Sequence, residues 1–114
     1  MAVWAIKMNA RLNKVDFEVT SENFLERDVK EFDVILFGDM FYDATMAAKL
    51  SGWISKLKRM SKTVLVGDPN RFAFKDESGQ LLTDLSLLKT YQLPDFVRHE
   101  NHGLTEASVY GCNF

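Results

Sequence analysis

Two short apolar runs in this chain end the same way. Val34-Ile35-Leu36-Phe37 closes on Gly38-Asp39, and Thr63-Val64-Leu65-Val66 closes on Gly67-Asp68. Each is the length of one strand, is rich in β-branched or aromatic residues and shows no polar alternation. That pattern belongs to strands buried on both faces of a helix-covered parallel sheet. Between them, Met46, Ala47, Leu50, Trp53, Ile54 and Leu57 recur at helical spacing. Asp43 stands where an N-cap belongs, and Lys56, Lys58 and Arg59 gather at the end where cations complement the helix dipole. Strand, helix and strand in this order make a βαβ unit with parallel strands and a right-handed crossover. Asp39 and Asp68 are therefore expected to leave the sheet at the same edge. Open α/β sheets bind ligands just outside the carboxyl ends of their strands, so chemistry is expected in the loop Gly38-Asp39-Met40-Phe41-Tyr42-Asp43.

The remaining segments are read around this unit. Met1 to Asn13 is predicted to be a helix, with Ala2, Ala5, Ile6 and Leu12 on one side. The first acid is Asp16, so the same segment also resembles a basic, amphipathic transit peptide. Val15 to Thr20 alternates apolar and polar residues, as a half-exposed strand does. Glu26 to Glu31 is a charged, solvated connection. Asn70 to Gly79 reads as a loop, followed by a second helix burying Leu81, Leu82, Leu85 and Leu88. Tyr91 to His99 is predicted to be a strand, with Pro94 placing it at an edge or at an irregular start. A turn at Glu100-Asn101-His102-Gly103 leads to a closing strand, Glu106 to Gly111, and these last two strands form an antiparallel hairpin.

Composition narrows the chemistry. A single domain of 114 residues with net charge -2 has no concentrated basic surface, which argues against nucleic-acid binding. No apolar run approaches the ~20 residues of a membrane-spanning helix. Cys112 is the single cysteine, so no internal disulfide forms; it reads as a buried small hydrophobe. His99 and His102 have metal-ligand spacing, but a hairpin turn without a nearby cysteine gives a metal site little support, and none is predicted. No two of the six glycines stand two residues apart, so the Gly-rich turn of a nucleotide site is absent. Asp39 and Tyr42 remain. An ionised Asp can orient an amine or help take its proton, and a phenol can bond to the same group. The plainer alternative is that Asp39 caps a turn and Tyr42 packs at the helix start. Asp68 before Pro69 favours the turn-capping role.

The run Gly38-Asp39-Met40-Phe41-Tyr42-Asp43, then Gly67-Asp68-Pro69 with Arg71, then Glu100-Asn101 with Gly103-Leu104-Thr105, resembles the C-terminal half of one family. These are the electron-transfer-flavoprotein beta-subunit lysine methyltransferases, seven-strand Rossmann-like enzymes that use S-adenosylmethionine. Asp39-Met40-Phe41-Tyr42 is similar to the Asp-x-x-Tyr motif that related lysine methyltransferases place beside the transferred methyl group. The resemblance implies an α/β fold comprising strands three to seven, with Val15 to Thr20 as strand three, and the first two strands missing. It implies a donor site near Asn23, Gly38 and Asp39, catalytic roles for Asp39 and Tyr42, and a substrate-binding segment Met40-Phe41-Tyr42.

In the family, the glycine loop precedes what is here Met1, and strand one lies beside strand four. Residues 1–114 are thus expected to be the C-terminal portion of one methyltransferase domain, a shortened chain that binds donor weakly or not at all. Its open sheet edge is expected to be able to self-associate. The implied partner is the electron-transfer flavoprotein beta subunit. The implied location is the mitochondrial matrix, or the cytoplasm if a shortened chain carries no transit peptide. The rival reading is a non-catalytic α/β module that pairs through that edge.

Overall fold

β1 (Val34–Gly38) and β2 (Thr63–Asp68) pair in parallel, with Gly38 opposite Gly67. They do so in a computed structural model that describes residues 1–70, 84–100 and 103–114. The helix joining them, α2 (Ala44–Arg59), begins where the acid predicts: Asp43 Oδ1 accepts the Met46 N–H at 2.8 Å. Removing that cap with Asp43→Ala is expected to cost about 1 kcal/mol, read as a lower midpoint in urea unfolding with an unchanged slope.

α2 covers one face of the sheet. Ala47, Leu50, Ile54 and Leu57 of the helix are fully buried, as are Val64 and Val66 of β2. Each larger side chain among them contributes roughly 1.5–3 kcal/mol by leaving water. Trp53 meets Phe37 edge to face, with ring centroids 5.3 Å apart. This cluster is the core that the helical spacing foretold.

The rest of the sheet is antiparallel. β4 (Glu106–Cys112) inserts between β2 and β3 (Ser86–Gln92), giving the order β1-β2-β4-β3. β4 approaches its neighbours closely at Gly111, where an added Cβ would lie 2.7 Å from the Val64 carbonyl oxygen. At the end of β4, Asn113 Nδ2 donates to the carbonyls of Lys58 and Lys62, both at 3.0 Å, satisfying groups at and just beyond the end of α2. Cys112 is buried, as expected of a small hydrophobe.

Four expectations are corrected. Val15 to Thr20 joins no ladder, because among the described residues no strand lies beside it to satisfy its backbone. β1 is not buried on both faces. It is the edge strand, and on the face away from α2 Val34 is 52% and Leu36 71% exposed. Leu88 lies in β3 rather than in a helix, where the β-forming run Leu87 to Tyr91 pairs with β4; of that predicted helix, Leu81 and Leu82 fall outside the described residues. The strand predicted for Tyr91 to His99 ends at Gln92, and α3 (Asp95–Glu100) follows. Pro94 lacks a ladder donor but presets the helix entry, its carbonyl accepting the Val97 N–H at 3.0 Å. α1 (Ala2–Leu12) forms as predicted and buries none of its residues.

Candidate functional site

The loop from β1 to α2 is held at three points. Asp39 extends the parallel ladder by one bond, its N–H donating to the Gly67 carbonyl at 2.9 Å. Phe41 is wholly buried, and Asp43 caps the helix. Between these anchors Asp39 and Tyr42 are presented to solvent, Tyr42 at 54% exposure, while Met40 packs partly against the core. Asp39 has a positive φ of 50°, a left-handed conformation that Asp and Asn tolerate better than other side-chain-bearing residues. Backbone of this kind gathers at binding and catalytic sites. Asp68 ends β2 at the same sheet edge as Asp39, as the paired motifs require, but is itself buried.

The implicated residues do not all meet. Asn23 spends its side chain locally: Oδ1 accepts the Leu25 N–H at 3.1 Å in a turn. Together with Met40, Phe37, Leu36 and Trp53 it lines an open, largely apolar depression of about 990 Å³. Asp39 lines a different concavity, a cleft of about 260 Å³ shared with Gly67, Pro69, Tyr91, Leu93 and Val109. Gly38 faces open space, since a Cβ there would meet nothing within 4 Å. Tyr91 and Leu93 were not identified from sequence. The signal was the alternation Lys89, Tyr91, hidden because this stretch was divided between a helix and a late strand. Arg71, Asn101 and His102 lie outside the described residues, as does the side chain of His99, so the histidine pair is not described.

Along 99% of its length the chain is 37% identical to the electron transfer flavoprotein beta subunit lysine methyltransferase of Danio rerio, of which the match covers 44%. The Homo sapiens protein of the same name is 36% identical over 97% of the chain and 42% of its own length. A Caenorhabditis elegans homolog is 28% identical over 99% of the chain and 54% of its own length. The chain belongs to this methyltransferase family. It spans less than half the length of these two vertebrate relatives, a share that fits the C-terminal half of the family's proteins. No family model and no solved structure matches it.

A methyltransferase family implies S-adenosylmethionine as the methyl donor. The described residues do not fit that molecule as a set. Asn23 and Asp39 face separate concavities, Asn23 is committed to its own turn, and the cleft at Asp39 falls below the ~300 Å³ at which pockets for whole small ligands begin.

Proposed function

We propose that this chain is the acceptor-side portion of a protein-lysine N-methyltransferase domain whose donor is S-adenosylmethionine. The protein it acts on is taken from the relatives' names, the electron transfer flavoprotein beta subunit. One observation carries this reading: a chain matched along its whole length to these enzymes presents Asp39 and Tyr42 at the carboxyl end of β1. A lysine amine reacts as a nucleophile only when neutral. An ionised Asp39 can accept one of its N–H bonds and fix the direction of its lone pair, and the Tyr42 hydroxyl can bond to the same nitrogen. Met40 and Phe41 complete the substrate loop, Phe41 as its buried anchor. β1, β2, β3 and β4 correspond to strands four to seven of a seven-strand parent, of which residues 1–114 form one portion of a single domain. The mitochondrial matrix is the compartment that suits this substrate.

The test is reconstitution. Joined to the portion of the Danio rerio relative that the match leaves out, the chain is expected to methylate the flavoprotein beta subunit. Alone it is expected to give no saturable heat in calorimetric titration with adenosylhomocysteine. An isotherm from the folded chain with a Kd of about 1 μM, roughly −8 kcal/mol, would show that it rebuilds a donor site unaided.

The exposed edge supports a second reading, a non-catalytic module that pairs through β1, because Val34 and Leu36 leave an apolar, unpaired strand open. Under that reading the chain sediments as a cooperative dimer and Leu36→Lys as a monomer, since a charge on an edge strand blocks pairing. Under the methyltransferase reading the wild-type chain instead aggregates without a defined stoichiometry.

A further inference from the structure

The cleft beside Asp39 has a construction that the loop motif does not explain. Strand register puts Gly67, Val109, Ala107 and Tyr91 on one sheet face, opposite the face that α2 covers. Asp68, Ser108 and Thr90 point the other way, and the Thr90 and Ser108 hydroxyls bond across the strands at 2.9 Å. The floor of the cleft is therefore made of a glycine, a small residue and a valine. Its walls are the Tyr91 ring, Leu93 and Pro69, and the exposed Asp39 stands at its rim. At about 260 Å³ it is sized for one extended side chain rather than for a nucleoside-bearing molecule.

We infer that this cleft seats the alkyl stem of the acceptor lysine, packed against Tyr91 and Leu93, with its amine directed to Asp39. The inference rests on the methyltransferase reading above and names the substrate's place within it. An apolar floor and an aromatic wall suit a four-carbon stem, and a carboxylate at the rim suits the nitrogen that ends it. The ring has the electronic character required. Lys89 Nζ already lies 5.1 Å from the Tyr91 centroid, a cation–π contact, and Lys89 does not itself line the cleft.

Nuclear magnetic resonance on the isotopically labelled chain tests this directly. The probe is N-acetyl-lysine methylamide, and N-acetyl-norleucine methylamide is the uncharged comparator. The lysine probe is expected to shift the amides of Gly67, Ala107 and Val109 saturably, and to bind more tightly than the norleucine probe.

Two variants probe the walls. Tyr91→Thr keeps a strand-forming residue but removes the ring, and is expected to weaken binding about fivefold, the loss of one cation–π and stacking partner. Tyr91→Phe restores the ring and is expected to bind within about twofold of wild type. Gly67→Val fills the floor and is expected to abolish binding. Its Cβ meets only the Phe37 carbonyl oxygen, at an ordinary 3.8 Å, so the strand accommodates it. Shifts confined to other surfaces, or equal binding by wild type and a folded Gly67→Val variant, overturn the inference. If the reconstituted enzyme needs Asp39 but the probe seats elsewhere, this inference fails and the methyltransferase reading stands. If the probe seats in the cleft but transfer is indifferent to Asp39, the acceptor role fails with its parent reading.

Discussion

Phe41→Ala is expected to remove 3–5 kcal/mol of stability, the loss seen when a buried aromatic side chain is truncated in a core that cannot collapse around the gap. Phe41 is wholly buried although it sits in the loop between β1 and α2. A domain of this size has about 5–15 kcal/mol in all, so the variant should unfold early or be unfolded at room temperature. Urea denaturation followed by circular dichroism measures it. Tyr42→Ala, one residue along and 54% exposed, is expected to change stability by no more than about 0.5 kcal/mol. The contrast separates the anchor of the loop from the residues it presents. A Phe41→Ala protein as stable as wild type would mean that the loop is held by its ends alone, at Asp39 and Asp43.

The parts of this fold that could be read from sequence are those whose cause is local. Asp43 caps α2 because an acid at that position has a free N–H to bond, and the α2 face is buried because its apolar residues repeat at the helical period. The parallel pairing of β1 and β2 followed from two matching endings around one helix. What could not be read depends on distant partners. Val15 to Thr20 has the alternation of a strand, but alternation supplies no neighbouring ladder. Val34 and Leu36 have the composition of doubly buried positions, yet composition cannot say whether anything covers the far face. Tyr91 reaches the cleft of Asp39 only because β4 inserts between β2 and β3, a strand order that no local pattern announces. The site loop was legible, and the wall facing it was not.

Asp39→Asn isolates the chemistry from the fold. Asparagine also tolerates the left-handed φ of 50° at this position and keeps the N–H that donates to the Gly67 carbonyl. Stability is therefore expected to stay within about 0.5 kcal/mol of wild type, whereas a β-branched substitute would confound backbone strain with loss of charge. In the reconstituted enzyme the same change is expected to lower kcat about 100-fold. That corresponds to about 3 kcal/mol, the upper end of the range for a hydrogen bond to a charged group. The loss should fall on kcat more than on KM, because an amine held in the wrong direction still occupies its cleft but presents its lone pair poorly. Tyr42→Phe, which removes only the hydroxyl, is expected to cost about tenfold, in keeping with one neutral hydrogen bond of about 1.4 kcal/mol. Rates of methyl transfer to the purified flavoprotein beta subunit decide the matter. A correctly folded Asp39→Asn enzyme that turns over at the wild-type rate would reduce Asp39 to a turn-former whose left-handed backbone serves only to start α2, and the acceptor site would have to be sought elsewhere on the chain.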